Sequence, residues 1–306
     1  MRPGTFVTVE MMKRTVKSRI GSSTYKHIMR DVKFGEKMLW CLVKPAKFEE
    51  TMVLTTLYKD IVGVGYSELK KSLRPWMKLS NTALQHNVKV VRIELRKWAK
   101  KIIVPDSPAK LERRARKTSR PGLCSEVVLW VDSTDFRTKG KKSVHKRKER
   151  WSYKLKSPGR RWVSICDARS CTQWISVARL PTHYDSDILI SMASDLEKAF
   201  PGLTMIGDNH FRKSADFFPT IKVITNKSKA GRAKMVNGVK VPPTLSQEEE
   251  EANEIIAGVR GRVEGPYGWV KRAFHALFLP FYEDEEQHDC LVWTAFACHR
   301  LMVGRS

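Results

Sequence analysis

Three acidic residues stand where a metal-dependent site for phosphate chemistry would need them. Asp132 ends an apolar, strand-like run within residues 125–136, and Asp208 ends a second such run within 203–211. Glu264 projects from a segment of helical periodicity and has cations on both sides in the sequence. One such acid alone is more often a turn residue. Three gathered carboxylates would repel one another and take up protons unless cations paired them, so together they imply a metal site.

Carboxylate oxygens suit hard cations, and Mg²⁺ is typically held by one or two carboxylates together with substrate phosphates. Two such ions about 3.5–4 Å apart can activate a water and hold the leaving oxygen in an in-line phosphodiester displacement. We therefore expect Asp132, Asp208 and Glu264 to converge within about 8 Å and to bind two divalent ions, Mg²⁺ or Mn²⁺. The alternative for Glu264 is a surface ion pair with Arg260, which would contribute only a few tenths of a kcal/mol.

The charge of the chain indicates its partner. Its 306 residues include 57 Lys and Arg against 32 Asp and Glu, a formal net charge of +25. Such an excess usually reflects a polyanion, either nucleic acid or an anionic membrane. A membrane-spanning segment is not expected, because no run of about 18 apolar residues occurs. Nor does a secretory signal open the chain. Double-stranded DNA is the expected partner, without membrane association.

The six cysteines show neither a C-x-x-C pair nor the spacing of a disulfide framework. They are therefore predicted to be free thiols in a reducing compartment. A zinc site built from His288, Cys290, Cys298 and His299 is the alternative. Cysteines buried on an apolar C-terminal helix are the favoured interpretation.

Residues 1–104 predict a mostly helical module. Apolar spacing indicates helices over 66–73 and 81–103, with Ser80 as N-cap of the second, in a helix-turn-helix-like outline. A basic stripe on the longer helix either reads DNA or forms a solvated face; its residues are Gln85, Lys89, Arg92, Arg96 and Lys100. The proline-rich, basic segment 105–121 predicts a linker.

After residue 122 the apolar period changes to two, which predicts strands at 125–136, 151–156, 161–168, 172–180 and 203–211. A helix is expected at 185–200, and a late helix carries Glu264. Other acids in this part have structural explanations. Asp135 is expected to cap or turn, Asp167 to sit in a hairpin turn, and Asp185 to be a helix N-cap.

A basic loop follows the strand of Asp132 and would overhang the site. Phosphate contact is the favoured interpretation over a solvated, mobile face, and the stretch 141–148 also resembles a nuclear localisation signal. Two further cations flank Glu264. The predicted DNA contacts are Lys139, Lys141, Lys142, Lys146, Arg147, Lys148 and Arg150 in the loop, with Arg260 and Lys271 on the late helix.

Residues 122–303 resemble the DDE superfamily endonuclease domain of Harbinger-type transposases. The resemblance is carried by VDSTDF, WSYKLKSPGRRW, IGDNHF, RGRVEGPYGWVKRAF and DCLVWTAFACHRL. It implies an α/β catalytic domain at 122–306 with a ribonuclease-H-like mixed five-stranded sheet flanked by helices. It also implies Asp132, Asp208 and Glu264 as the catalytic acids. Gly265-Pro266 departs from the usual pattern, and Pro266 should kink the helix and change the aim of Tyr267 and Lys271.

The function implied is a metal-dependent DNA endonuclease and strand transferase that cuts phosphodiester bonds at element ends in the nucleus. The family commonly needs a separate Myb-like DNA-binding helper protein, and a homo-oligomer is a further expected assembly. A domesticated DNA-binding protein without catalysis is the alternative from another class. An RNA-directed nuclease of the same fold is also left open by the sequence.

Overall fold

The computed structural model describes residues 7–32, 48–73, 79–118, 127–139, 148–226, 234–236, 239–241 and 245–304. Side chains at 234–236, 239–241, 248–249, 251–252, 255 and 258–263 are outside that description. None of the described helices is long and apolar enough to cross a bilayer.

Helices make up the described residues before 104. They are α1 (Val9–Ile20), α2 (Ser22–Asp31), α3 (Phe48–Val62), α4 (Tyr66–Leu73) and α5 (Asn81–Ile102). The predicted helices at 66–73 and 81–103 are confirmed as α4 and α5. Ser80 is confirmed as the N-cap of α5, since its hydroxyl accepts a hydrogen bond from the Ala83 backbone N–H at 3.0 Å.

A mixed sheet forms the second half of the molecule. Its strands are β1 (Val127–Arg137), β2 (Trp151–Ser152), β3 (Ser157–Asp167), β4 (Thr172–Ile175), β5 (Thr204–Gly207) and β6 (Lys222–Thr225). The order is β2-β3-β1-β5-β6, and β4 also pairs with β3. Strand β1 runs antiparallel to β3 and parallel to β5. A separate hairpin joins β7 (Lys234–Val236) to β8 (Val239–Val241).

The predicted α/β class with a mixed sheet is confirmed, although the described sheet has six strands rather than five. The additional strand, β6, lies at the edge, is partly exposed and spans only Lys222–Thr225, so its period-two pattern is too short to identify.

Helices cover the sheet and connect it to the N-terminal part. They are α6 (Pro108–Thr118), α7 (Asp185–Ile190), α8 (Ala193–Ala199), α9 (Gln247–Ala273) and α10 (Glu285–Val303). The helix predicted at 185–200 is therefore interrupted between α7 and α8. The strand predicted at 203–211 ends at Gly207, and a 3₁₀ helix follows at Asn209–Phe217.

The structure corrects the prediction of a linker at 105–121, because most of that segment is helix α6. Leu111 and Ala115 on this helix are fully buried in the core beneath the sheet. Arg114 adds ion pairs to Asp106 and Asp167, both at 2.7 Å. Pro108 stands at the first helical position, where its missing N–H costs no hydrogen bond, so this proline begins a helix rather than preventing one.

One hydrophobic core is shared by the N-terminal helices and the C-terminal half. It includes Leu95 and Trp98 of α5, Phe136 of β1, Trp162 of β3 and Phe296 of α10. Helix α5 packs along α10. The boundary predicted at residue 104 therefore does not separate two hydrophobic cores.

The basic stripe on α5 is divided: Gln85, Lys89 and Lys100 are exposed, as the solvated-face interpretation expects, whereas acidic residues engage the two arginines. Arg92 is fully buried, pairs with Asp60, and lies 2.7 Å from Glu283. Arg96 pairs with Asp289 at 2.5 Å. A helical repeat shows that such cations share a face, but only packing shows that acidic residues from another segment engage some of them.

We expect the Arg92→Leu substitution to lower the free energy of unfolding by about 3–5 kcal/mol, because it leaves Asp60 buried without its arginine and removes one of the two cations at Glu283. Lys97→Ala on the same helix is the matched control. Lys97 is exposed and pairs with Glu94 three residues away, so its loss should cost less than about 1 kcal/mol. Urea unfolding of both variants provides the measurement, and equal losses would contradict a dominant role for Arg92.

Two buried histidines make stability depend on pH. Burial, with Arg92 and Arg160 nearby, lowers the pKa of His288 to about 3, and burial lowers the pKa of His299 to about 4. The zinc alternative is not supported in the described residues: His288 stacks on Phe281 with ring centroids 4.5 Å apart, and Cys290 and Cys298 are buried free thiols.

Below the unfolded-state pKa of about 6.5 the unfolded chain binds protons that the folded chain excludes, so stability falls as pH falls. From about pH 7 to about pH 5, we expect a loss of about 2 kcal/mol for each histidine. His288→Phe and His299→Phe should each remove their share of this slope, whatever their stability at neutral pH. Exposed His86→Gln is the control, and an unchanged slope in both Phe variants would refute the explanation.

Candidate active site

The sheet places Asp132 and Asp208 side by side. Strands β1 and β5 are parallel neighbours in which Trp130 pairs with Ile206, and each aspartate lies two residues further along its chain. Neighbouring strands are about 4.8 Å apart. Asp132 is 7% exposed and Asp208 is 8% exposed. Asp132, inside β1, and Asp208, directly after β5, are therefore neighbours in the centre of the sheet.

Backbone groups orient both carboxylates. The Oδ1 atom of Asp132 accepts a hydrogen bond from the Ser133 N–H at 2.7 Å. Asp208 is the N-cap of the 3₁₀ helix, and its Oδ1 accepts from the His210 N–H at 2.9 Å. Because these donors belong to the main chain, the orientation depends on the fold and not on flexible side chains.

Gly207 allows the end of β5 to lie close to β1. A Cβ atom at this position would lie 2.9 Å from Val131 Cγ1 and 2.9 Å from the Phe211 ring. Both distances are shorter than real Cβ contacts, so any larger residue would push β5 away from β1. The glycine of the GDN sequence is thus required by close packing next to the acids.

Helix α9 covers the face of β1 that carries Asp132. The Tyr267 hydroxyl donates to the Asp132 carbonyl oxygen at 2.5 Å and accepts from Ser164 Oγ at 2.8 Å. Lys271 Nζ donates to Thr134 Oγ1 at 3.0 Å, and burial lowers the pKa of this ammonium group. Asp132 and Thr134 alternate along β1 and hence share a face. Both helix residues reach the strand although α9 contains Pro266.

Glu264 lies on α9 three residues before Tyr267 and seven before Lys271, so the three occupy one side of the helix. Its side chain is exposed. The neighbouring Gly265 faces Ser170 in the β3–β4 turn, which is 3.7 Å from where a Cβ would stand. Within the described ranges, no three His, Cys, Asp or Glu side chains are arranged to hold a metal ion. Asp132 and Asp208 are neighbours across the β1–β5 pair, and the convergence of the three carboxylates at one metal site stays a prediction.

The opposite face of β1 carries a separate acidic pair that an arginine neutralises. Arg161 donates from Nε to Asp135 at 2.8 Å and from Nη1 to Asp185 at 2.8 Å. Asp135 lies inside β1, so the expected cap or turn is wrong. Asp185 is the first residue of α7 and not its N-cap; its carboxylate accepts instead from Ser133 Oγ at 2.7 Å.

Asp167 is confirmed as a structural turn residue. Its Oδ1 accepts from the backbone N–H groups of Arg169 at 3.0 Å and Cys171 at 2.9 Å. Its Oδ2 pairs with Arg114 of α6, so this carboxylate ties the β3–β4 turn to the preceding helix.

Only some of the predicted DNA contacts lie within the described residues. Lys139 lies 5.2 Å above the Tyr282 ring and Lys148 is exposed. Arg150 is largely buried and bound to Glu285 at 2.5 Å, so its guanidinium is already engaged. Lys141, Lys142, Lys146 and Arg147 lie outside the described residues, as does the side chain of Arg260.

Sequence reasoning missed Lys154. Strand β2 ends at Ser152, and the turn that follows places Lys154 Nζ 3.0 Å from Ser133 Oγ and 3.3 Å from the Ser133 carbonyl oxygen. The predicted strand over 151–156 would place this lysine on one face of the sheet, whereas the chain turns after Ser152. The Pro158-Gly159 pair, taken as the turn signal, instead lies within β3.

One solved structure and one family model are similar to this chain. A cryo-EM structure of the piggyBac transposase synaptic complex with hairpin DNA has a TM-score of 0.44 and 10% identity, over 95% of this chain and 74% of that one. None of the curated proteins matches the sequence significantly. The family described as DDE superfamily endonuclease matches residues 131–300, more than half of the chain and inclusive of Asp132, Asp208 and Glu264, so the chain belongs to that family.

Proposed function

We propose that the protein is a Harbinger-type transposase that cuts DNA at element ends and joins the freed 3′-hydroxyl to target DNA. The observation that carries this proposal is the position of Asp132 inside β1 next to Asp208, which follows the parallel neighbour β5, within a DDE endonuclease domain. The excess of cations supports DNA as the substrate.

The donor set fits divalent metal ions. Asp132 and Asp208 offer hard carboxylate oxygens that the backbone has already oriented, which suits Mg²⁺ or Mn²⁺. These two residues would hold the metal, with Glu264 as the third ligand. When bound, two such ions would activate the attacking water and stabilise the leaving oxygen.

The other residues near Asp132 hold the strand and bind phosphate. Tyr267 fixes the backbone of Asp132 from the α9 side, and Arg161 neutralises the acids on the other face. Lys271 and the lysines of the basic loop would bind the DNA backbone, which carries the nucleic-acid affinity of most such proteins. Action in the nucleus, a Myb-like helper and a homo-oligomer belong to the same proposal.

A domesticated DNA-binding protein is the second candidate, and one observation favours it. Glu264 is exposed, and its neighbour Gly265 faces the β3–β4 turn. If Glu264 does not reach the two aspartates, the domain retains its fold and charge but lacks the third ligand. Cleavage and metal binding therefore have to be measured separately.

We expect Asp132→Asn, Asp208→Asn and Glu264→Gln each to abolish Mg²⁺-dependent DNA cleavage while DNA binding stays equal or becomes tighter, since a repelling charge is lost. Asp187→Asn, exposed on α7, and Glu254→Gln, exposed on α9, are the matched controls and should cleave like the parent. Full activity in any of the three variants would remove that residue from the site.

Thermal melts with and without Mn²⁺ distinguish the two candidates. A metal that binds only the folded state raises the melting temperature by mass action, so the Mn²⁺-induced shift should be smaller in Glu264→Gln than in the parent. Their melting temperatures in EDTA should be nearly equal. Equal metal-induced shifts would reject Glu264 as a ligand, and no shift in the parent would favour the domesticated protein.

Replacing Lys146, Arg147 and Lys148 together by Ala should flatten the salt dependence of DNA binding. Each lost phosphate contact lowers the log–log slope by about 0.9 units, or about 2.7 units for all three. Replacing the exposed Lys97, Lys100 and Lys101 of α5 removes the same charge and is the control. Equal slopes in the loop variant and the parent would show that the loop is only a solvated face.

A further inference from the structure

The backbone of Ser133 faces the β5 side of strand β1. Ser133 lies opposite Val163 of β3. Val163 directs its own backbone groups away from β1, because its N–H donates to Ser176 Oγ and its carbonyl oxygen accepts from the Ser176 N–H, both at 2.9 Å. Ser133 and Val163 are therefore a pair without mutual hydrogen bonds, and the N–H and C=O of Ser133 likewise point away from β3.

The two aspartates of the candidate site lie on this side of β1. Its neighbour there is β5, which ends at Gly207 and no longer pairs with β1 at the level of Ser133. The Ser133 N–H instead donates to the Asp132 carboxylate at 2.7 Å, and Asp208 follows Gly207 directly. Although the Ser133 side chain belongs to the opposite face, its backbone groups thus lie on the same side of β1 as both aspartates.

Lys154 brings a cation to the same place. Its Nζ donates to the Ser133 carbonyl oxygen at 3.3 Å, in addition to its 3.0 Å contact with Ser133 Oγ. The N–H and C=O of one strand residue point to the same side. The ammonium group of Lys154 and the carboxylate of Asp132 are therefore bound by neighbouring backbone groups of a single residue.

A second lysine approaches β1 from the other face. Lys271 of α9 donates to Thr134 Oγ1 at 3.0 Å. Among the described residues, neither lysine is ion-paired with a carboxylate, whereas the nearby Arg161 binds two aspartates. Burial lowers the pKa of Lys271, and repulsion by Lys154 lowers it further. Two ammonium groups that repel each other are stabilised when an anion binds between them.

We propose that Lys154 binds the DNA phosphate group that is cut in the site of Asp132 and Asp208. This inference rests on the proposed function and adds to it a catalytic residue that contacts the substrate. The phosphate gains negative charge while the attacking and leaving oxygens are both partly bonded to it, and a fixed cation beside it stabilises that charge. The Ser133 carbonyl oxygen already holds the ammonium group in position.

Binding of a DNA duplex in EDTA tests the phosphate contact without cleavage. Lys154→Gln removes the charge but keeps a polar side chain, so the log–log slope of affinity against salt concentration should fall by about 0.9 units. Lys154→Arg should keep the slope of the parent. Lys198→Gln is the matched control, because exposed Lys198 precedes the start of β5, whereas Asp208 follows its end. This variant should also keep the parent slope.

Single-turnover nicking of a supercoiled plasmid in Mn²⁺, with the protein at saturation, tests whether the phosphate is the one that is cut. Lys154→Gln should lower this rate by about ten-fold or more, and Lys154→Arg should restore most of it. A contact to a distant phosphate would weaken affinity and leave the saturated rate unchanged.

Two results would overturn the proposal. An unchanged salt slope in Lys154→Gln, with only a lower melting temperature, would show that the lysine merely braces Ser133. A reduced slope with an unchanged saturated rate would show that it binds a phosphate that is not cut. Absence of nicking in the parent would reject the proposed function and this inference with it, and the parent's own rate distinguishes that result from the other two.

Discussion

A buried network of charges around Arg92 holds the two halves of the molecule together. Arg92 of α5 pairs with Asp60 of α3 and with Glu283. Glu283 begins an acidic segment that continues into the first turn of α10. Lys59 and Tyr66 bind the same Glu283 carboxylate at 3.3 Å and 2.9 Å. Burial alone would raise the pKa of Glu283, but Arg92 and Lys59 lower it, so the carboxylate stays charged.

The acidic segment 283–289 extends this network in both directions. Asp284 pairs with Lys89, and Asp289 pairs with Arg96 of α5 while accepting from the Trp162 indole N–H of β3 at 3.0 Å. Glu285 binds Arg150 and Arg160 near the other end of the sheet. Many of the lysines and arginines on these elements are therefore paired with acids of the protein itself. For this reason the net charge alone does not show which surface binds DNA.

Strand β1 separates two chemically different faces. On one face Asp132 and Thr134 meet Tyr267 and Lys271 of α9. On the other face Ser133 and Asp135 join Arg161 and Asp185. Because strand side chains alternate, acids only a few residues apart have opposite roles. An arginine neutralises the acids of one face, while backbone groups orient the carboxylate of the other.

The sequence by itself determined the main elements. Period-two runs predicted the central strands, and helical spacing with Ser80 predicted α5. Asp208 directly follows β5 as expected, whereas Asp132 lies inside β1, which continues to Arg137. These are local properties, because burial of alternate or every third to fourth side chain appears directly in the order of residues. The structural role of Asp167 likewise followed from the turn residues around it.

Only the tertiary structure decided which charges meet. Arg92 and Arg96 share the α5 stripe with exposed residues, and only the fold shows that Glu283 and Asp289 engage these two arginines. The segment 105–121, predicted as a linker, is mostly helix because Leu111 and Ala115 are buried in a core. Lys154 contacts Ser133 because the chain turns after Ser152, where the sequence pattern predicted a continuous strand. Such contacts join residues far apart in the chain, and their energies depend on distance and burial, which no periodicity records.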